Sequence, residues 1–311
     1  MESLIFSLNA TIPVFLVMVI GYILKQCKMV NNEFIKCSNK FNFMVCMPAL
    51  LVRDIMEVDI VHNYDGVYIA FCAIVTLFCI FVIWGVTRLC YKSSDRGEFV
   101  QGAYRGSAAI LGAALIENIY GNTGMMPLMI IGAVPLYNMF AVIVLTFEAE
   151  GRDNKKIKNA LVDVCKNPMI ISIFAGILFS CLRIDFPQVA DNTIGMLARL
   201  VSPMALICIG AGFEGKKAIA RIKPTLVATL IKLVVQPIIF IPLAIYIGFT
   251  GDKLIAILIM LGAPSTASSY IMAKNMNHEG VLSSSIIVLT TILSSFTITL
   301  GIFILKYMGY V

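Results

Sequence analysis

The sequence predicts an all-α polytopic membrane protein, with ten transmembrane helices arranged as two inverted repeats of five. The composition supports membrane insertion, because 59% of the 311 residues are hydrophobic, only 14% are charged and the mean hydropathy is +0.90. Soluble domains carry about 25% charged residues. Long apolar segments recur along the whole chain, and the basic residues concentrate between alternate segments. These two patterns predict the number of spans and their orientation.

A transmembrane helix needs about 20 mostly apolar residues, and ten segments of the chain approach or exceed that length. The second and seventh are only partly apolar, and the sixth is short. We number these segments one to ten in chain order: 4–24, 34–56, 67–90, 99–119, 125–147, 168–182, 189–213, 224–248, 253–275 and 281–305.

The ends of these segments and the loops between them hold 17 Lys and Arg residues on one predicted side and four on the other. Basic residues favour the cytoplasmic side of a membrane. The sequence therefore predicts a multi-pass protein of the plasma (inner) membrane with both termini outside.

A charged stretch at 148–167 divides the chain into two halves, 1–147 and 168–311, and we interpret it as a cytoplasmic linker. Five spans in each half would give the halves opposite orientations. Features also recur between the halves. Pro48 and Pro203 lie mid-segment in segments two and seven, and Gly106 in segment four corresponds to Gly262 in segment nine at nearly the same offset. The sequence thus predicts an inverted repeat.

Segment nine is interrupted by small and hydroxylated residues around Pro264. Proline removes a backbone donor and breaks or kinks a helix, and Ser265 or Thr266 could N-cap a second half-helix. Freed backbone groups in a membrane must line a protein-enclosed cavity, and an inward-pointing helix N-terminus suits a carboxylate. The alternative is a proline-kinked helix whose serines pack against a neighbour.

Two polar residues inside the segments are candidates for contact with an anion. Arg105 in segment four either steers an anion or snorkels to the cytoplasmic surface. Asn138 in segment five follows Pro135, and its amide could hold a carboxylate or hydrogen-bond segment five to segment four. Both alternatives remain open for each residue.

Lys232 and Glu117 are candidates for coupling. A lysine as deep in segment eight as Lys232 could carry a proton or balance a charge, although we favour snorkelling or a structural ion pair. Glu117 lies near the outer end of segment four, where exposure to external water is the simpler interpretation.

The motifs of other protein classes are absent from the sequence. The nine cysteines form no CxxC pair and no Cys/His cluster. The sequence therefore indicates no disulfide framework, no metal site and no cofactor. There is no nucleotide-binding or hydrolase motif, and the basic residues follow the topology, so we predict neither an enzyme nor a nucleic-acid-binding protein.

Five stretches together resemble the auxin efflux carrier family, in its short, malate permease-like bacterial branch. They are CMPALLVRDI in segment two, YRGSAAILGAALIENIYG in segment four, Asn138 after a proline, SPMALICIGAGF in segment seven and APSTASSYIMAKNM in segment nine. The resemblance covers the whole chain in order, and no single motif decides it.

The resemblance implies a fold like that of bile-acid transporters and sodium/proton antiporters, with segments four and nine unwound where they cross. A transport domain of segments three to five and eight to ten would slide against a scaffold domain of segments one, two, six and seven. Relatives with this architecture are often homodimers that associate through the scaffold domain.

The resemblance also implies substrate contacts near the crossing. The family's contacts map onto Ser107 and its neighbours in segment four, and onto Met47, Pro48 and Ala49 in segment two. The sequence departs from the family at both crossings, with 105-RGS-107 in place of Arg-x-Asn and with serines where asparagine is frequent in segment nine. A hydroxyl has fewer donors than an amide, so auxin itself is not implied. The segment nine candidates are Pro264, Ser265, Thr266, Ser268 and Ser269.

The sequence thus predicts a secondary active transporter of small organic anions, such as malate, another dicarboxylate or another carboxylate. Pro48 and Pro203 would shape the scaffold side of its site. Coupling to protons, to sodium or to the anion's own gradient remains open. The alternatives are an anion uniporter or channel of the same fold, and a membrane receptor that binds a ligand without moving it.

Overall fold

The computed structural model describes residues 2–56, 65–91, 93–108, 116, 124–149, 162–182, 184 and 186–311, with residues 2–11 as backbone only. These residues form α-helices, two π-helical turns and connecting loops, and this part of the chain contains no β-strand. The chain is therefore all-helical wherever the structure describes it. Most of the predicted linker at 148–167 lies outside these ranges.

Six α-helices of the first half have described bounds, and polar caps define two of their starts. The Asn31 side chain accepts a hydrogen bond from the Phe34 amide at the start of α2, and Asp65 accepts one from Tyr68 at the start of α4. The helices are α1 (Glu2–Gln26), α2 (Asn32–Phe41), α3 (Met47–Met56), α4 (Gly66–Cys90), α5 (Arg96–Tyr104) and α6 (Met126–Phe147).

Among the described residues of the second half there are nine α-helices. Asn167 caps α7 by accepting from the Met169 amide, and Pro168 occupies the first helical position, where no amide donor is needed. The helices are α7 (Pro168–Cys181), α8 (Gln188–Arg199), α9 (Val201–Ala211), α10 (Gly215–Ala220), α11 (Ile222–Leu230), α12 (Gln236–Ile247), α13 (Gly251–Gly262), α14 (Ser268–Asn275) and α15 (Val281–Tyr307).

Five helical stretches among the described residues are long and apolar enough to cross a membrane: Gly66–Cys90, Met126–Phe147, Gln188–Ala211, Ile222–Ile247 and Val281–Tyr307. The stretches Ile12–Gln26 and Pro168–Cys181 are also apolar but shorter. Helices occupy all ten predicted segments, and segments four and nine are each interrupted. These features describe a multi-pass membrane protein.

A proline follows each of the two π-helical turns among the described residues. Proline has no amide donor, so the carbonyl four residues before it loses its usual helical partner. The turn Asn42–Cys46 joins α2 to α3 just before Pro48, and the turn Ile231–Val235 joins α11 to α12 just before Pro237. Such bulges are frequent at functional sites. Here the first precedes Met47 and the second contains Lys232, and both residues reach the site described below.

The buried apolar residues form one large cluster and two smaller ones. The large cluster draws on α4 to α6, α11 to α13 and α15. One smaller cluster joins α3, α7 and α9 to α6 and α14, and the other joins α1, α2 and α9 to α14 and α15. The helices of segments one, two, six and seven thus pack around a core built by the others.

Helices α1 and α9 approach so closely that their backbones touch through glycines. A Cβ atom on Gly210 would lie 1.8 Å from the carbonyl oxygen of Met18, and one on Gly21 would lie 2.3 Å from that of Ile207. Neither distance is compatible with a side chain, so any larger residue must push the two helices apart.

We therefore expect Gly210→Ala to lower the free energy of unfolding by about 1–3 kcal/mol, the usual cost of overpacking. The measurement is thermal denaturation of the purified protein in detergent. Gly85→Ala is the matched control, because no atom lies within 4 Å of a Cβ placed on Gly85 in α4. In that helix interior alanine should stabilise by roughly 0.5–1 kcal/mol. Equal stability of the two variants would contradict the close α1–α9 contact.

Candidate functional site

The two interrupted segments meet and bond to each other. The chain is non-helical from Arg105 to Ser107 after α5, and again between α13 and α14. The Ser107 amide donates a hydrogen bond to the carbonyl oxygen of Pro264, at 2.8 Å. The crossing therefore brings two broken helices of distant sequence into one place.

Two polar side chains from segment eight satisfy the helix ends on one side of the crossing. The Lys232 ammonium donates to the carbonyl oxygens of Tyr104 and Met260, each at 3.1 Å, and the Gln236 amide donates to that of Ala103 at 2.7 Å. These carbonyls lie at the C-terminal ends of α5 and α13, where a helix carries partial negative charge. One lysine thus balances the ends of both half-helices.

The expectation that Lys232 snorkels to the inner surface is wrong, and among the described residues no carboxylate pairs with it. Its side chain is fully buried, and its two hydrogen-bond partners are backbone carbonyls. The π-helical turn that contains Lys232 contacts α5, α13 and α15, so the side chain is directed into the protein. Pro237, five residues later, was the sequence signal for this distortion.

Gly106 leaves the space that Lys232 fills. A Cβ atom on Gly106 would lie 3.0 Å from the Lys232 nitrogen and 3.2 Å from its Cε. A side chain at this position would require the end of the Lys232 side chain to move by a few tenths of an ångström. The glycine in the interruption therefore allows the close approach on which the lysine's position depends.

Arg105 occupies the interruption itself and is 4% exposed, so the snorkelling alternative is wrong for this residue also. Its guanidinium donates to Asn138 Oδ1 and, at 3.2 Å, to Ser268 Oγ. It also contacts Gln101 and the Met272 sulfur. None of these partners is a carboxylate. The bond to Asn138 links segments four and five, as one interpretation of that asparagine anticipated.

A cavity of about 100 Å³ lies between α3 on one side and α6 and the two interruptions on the other. It brings together six predicted site residues: Met47, Arg105, Ser107, Asn138, Thr266 and Ser268. Gly106 and Ala108, which also line it, are the neighbours of Ser107 that the resemblance implied. The other lining residues were not predicted: Leu50, Leu51, Asp54, Val134 and Tyr137. Helical spacing in α3 gave the available signal, because Met47, Leu50, Leu51 and Asp54 recur three and four residues apart.

The remaining candidates lie elsewhere. Pro203 is exposed on α9 and does not line the cavity, contrary to its predicted role in shaping it. Glu117 lies outside the described residues. Three other groups are next to the cavity without lining it: Pro48 and Ala49 in α3, Pro264 and Ser265 in the interruption, and Ser269 in α14.

The N-cap predicted in segment nine is also corrected. The cap residue of α14 is Ala267, and no side chain caps this helix. The Ser265 amide instead donates to Thr290 Oγ1 in α15 at 3.0 Å, while Thr266 Oγ1 and Ser268 Oγ lie 2.8 Å apart. The interruption is thus held by its neighbours, and the N-terminal end of α14 lies at the cavity.

Interrupted helices that cross in a multi-pass protein are an arrangement used by membrane transporters. The family model described as "Membrane transport protein" matches residues 6–164 and 157–302. The chain therefore belongs to this family of transporters, and the resemblance to auxin efflux carriers is confirmed.

Individual relatives have low sequence identity to this chain, but they match it over most of its length. The uncharacterized transporter YfdV of Escherichia coli O157:H7 is 22% identical over 287 residues, covering 88% of this chain and 90% of that protein. A protein of Rhizobium meliloti named "Putative malonate transporter" is 22% identical over 300 residues, covering 93% and 92%. The lysosomal cholesterol signaling protein of Mus musculus is 23% identical over 251 residues, covering 75% of this chain but 29% of that protein.

Proposed function

We propose that this membrane transporter is a secondary active carrier of small organic anions such as malate, another dicarboxylate or another carboxylate. The observation that carries the proposal is the distribution of charge at the crossing. Lys232 balances the two helix C-termini, whereas Arg105 and the N-terminal end of α14 are at the cavity. Arg105 and this helix end favour an anion on their side of the cavity, while Asp54 of α3 also lines it.

The polar groups at the cavity suit a carboxylate. Arg105 supplies charged donors, Asn138 an amide, and Ser107, Thr266 and Ser268 supply hydroxyls. Charge-assisted bonds from a guanidinium to a carboxylate are the strongest of these. The name of the Rhizobium relative, which refers to malonate, supports the same chemical class.

We further propose an elevator-type mechanism. The cavity lies between α3 of the proposed scaffold and three parts of the proposed transport domain: the interruption after α5, α6 and the start of α14. A sliding movement would therefore carry the site with its anion. The main core supports this division, because its described residues come from segments three to five and eight to ten and from Phe249 between segments eight and nine. The inverted repeat of 1–147 and 168–311, with 148–167 as a cytoplasmic linker, remains part of this proposal.

The same proposal includes the driving force for transport, the location of the protein and its oligomeric state. Protons, sodium or the anion's own gradient would drive transport, with Lys232 and Glu117 as the candidate coupling groups. The protein would reside in the plasma membrane with both termini outside. It would form a homodimer through the scaffold domain, in contact with membrane lipid.

Uptake of labelled malate into proteoliposomes, with unlabelled mono- and dicarboxylates as competitors, tests the proposal. The double variant Ser107→Ala, Asn138→Ala removes two polar groups from the cavity, and we expect at least a tenfold loss of saturable uptake, about 1.4 kcal/mol. The matched control is Asn192→Ala, Thr193→Ala, because both residues are exposed on α8. If neither malate nor any competitor enters or competes, with or without proton and sodium gradients, the organic-anion function is wrong.

A further inference from the structure

A larger cavity lies between α1, α9 and α15 and shares no lining residue with the cavity at the crossing. Its volume is about 420 Å³, within the range of about 300–1,000 Å³ that is usual for ligand sites. Phe15, Tyr22 and Phe213 line it and are exposed, so the cavity opens on the outer surface of these helices. The outer surface of membrane-spanning helices faces lipid, and a lipid is therefore the ligand with direct access.

The cavity follows α1 and changes in character along it. Phe15, Met18 and Val19 line one part, whereas Tyr22 and Gln26 line the part nearer the end of the helix. The rise from Phe15 to Gln26 is about 17 Å along an α-helix. One leaflet contributes about half of a hydrocarbon core that is roughly 30 Å thick. The length and the order of apolar and polar lining thus match a lipid of one leaflet.

Basic residues are concentrated beside the polar end of this cavity. The stretch 25-KQCK-28 contains the lining residue Gln26, and the stretch 213-FEGKK-217 contains the lining residues Phe213 and Gly215. Together the two stretches hold four lysines and one glutamate, and both lie on the predicted cytoplasmic side. Basic pockets between transmembrane helices on that side bind anionic lipid headgroups.

We propose that this cavity binds an anionic phospholipid of the inner leaflet, with its phosphate among these lysines and an acyl chain along α1. The site does not depend on which substrate the protein transports. A free phosphate would satisfy the lysines but leave the apolar part of the cavity unused. Each methylene group that is buried there strengthens binding about fourfold, so the lining selects the lipid.

Native mass spectrometry of the purified protein tests the inference, because it counts bound lipids and reports the oligomeric state in the same spectra. The probes are dioleoyl phosphatidylglycerol and dioleoyl phosphatidylcholine, which have the same acyl chains but differ in net charge. Each nearby lysine strengthens the attraction of an anionic lipid about fivefold. We expect the first phosphatidylglycerol to bind at least tenfold more tightly than the first phosphatidylcholine, and glycerol 3-phosphate not to displace it.

Lys28→Gln, Lys216→Gln tests the charged end. Both lysines are exposed, and this pair leaves intact the ion pair between Lys217 and Glu214, which are 3.0 Å apart. We expect the affinity for phosphatidylglycerol to fall at least tenfold and that for phosphatidylcholine to stay unchanged. The matched control is Lys36→Gln, Lys40→Gln on α2, which removes two exposed lysines that do not line the cavity from the same predicted side.

Val19→Trp tests the apolar part, because Val19 lines the cavity and a larger side chain there occupies the space of the acyl chain. We expect both lipids to bind at least tenfold more weakly to this variant. Ile20→Trp is the matched control, since Ile20 is the next residue of α1, is 50% exposed and does not line the cavity. It should bind both lipids as wild type does.

The outcomes identify what occupies the cavity. A preference for phosphatidylglycerol that the Lys28 and Lys216 variant removes, and the α2 variant keeps, would support the inference. Equal affinity for the two lipids, or equal losses in the two lysine variants, would overturn it in favour of diffuse surface charge. Displacement by glycerol 3-phosphate would indicate a site for soluble phosphates. A Val19→Trp variant that binds both lipids normally but dissociates a dimer would show that a second copy of the chain covers this face.

Discussion

Replacing Lys232 with methionine is expected to abolish carboxylate uptake and to destabilise the crossing of the two interrupted helices. Methionine keeps an unbranched apolar side chain but removes the ammonium group. The carbonyl oxygens of Tyr104 and Met260 would then lose the donor that Lys232 supplies to each of them. A buried polar group without a partner costs about 1–3 kcal/mol. Two such groups would remove about 2–6 kcal/mol from a typical total of about 5–15 kcal/mol.

Thermal denaturation and proteoliposome uptake measure the two effects separately. Lys223→Met is the matched control, since this lysine lies on α11 of the same segment, nine residues earlier, and is exposed. It should retain both the stability and the uptake of wild type. A Lys232→Met variant that transports at the wild-type rate would show that the helix ends need no cation.

Chemical rescue distinguishes the loss of the ammonium group from general damage. In Lys232→Ala the missing atoms correspond to propylammonium, which could occupy the vacated space and donate to the same carbonyls. We expect propylammonium to restore part of the uptake. Tetramethylammonium, which carries the charge but has no N–H donor, should not restore it. Equal rescue by both cations would mean that charge alone matters at this position.

The interruption in segment nine could be predicted from sequence because its cause is local. Pro264 removes a helical donor, and the neighbouring hydroxylated residues offer the backbone other partners. The structure ends α13 at Gly262, within this stretch. The apolar segments were predictable for the same reason, since the composition of each segment alone determines whether it suits a membrane.

The hydrogen-bond partners of Lys232 could not be predicted from local sequence. Its partners Tyr104 and Met260 are 128 and 28 residues away, and only tertiary packing brings them together. A depth estimate along one helix cannot show which face of that helix meets another broken helix. The same limit applied to Pro203, whose resemblance to Pro48 in sequence did not place it at the cavity.

Arg105 and Lys232 show how the crossing divides two buried positive charges between two tasks. The ammonium of Lys232 donates to carbonyl oxygens at two helix ends, so the protein itself supplies its partners. The described partners of Arg105 are neutral, and the side chain lines the cavity. A buried cation without an anionic partner is costly. In the proposed mechanism the substrate carboxylate supplies that partner.

Arg105→Gln is therefore expected to abolish substrate-induced stabilisation without lowering the stability of the empty protein. A ligand at a hundred times its Kd stabilises by about 2.7 kcal/mol. Losing a charge-assisted bond of about 1.5–3 kcal/mol weakens binding about 10- to 150-fold, which removes most of that effect. In the empty protein, the substitution exchanges a costly buried charge for a neutral amide.

The measurement compares thermal midpoints with and without the carboxylate that competes most strongly in the proteoliposome uptake test. Arg199→Gln is the matched control, because Arg199 is exposed at the end of α8, and it should keep the full ligand-induced shift. Arg105→Lys keeps the charge but loses the planar fork of donors, so its shift should be intermediate. If Arg105→Gln unfolds at a lower temperature when empty yet keeps the ligand-induced shift, the guanidinium serves the fold and another group binds the anion.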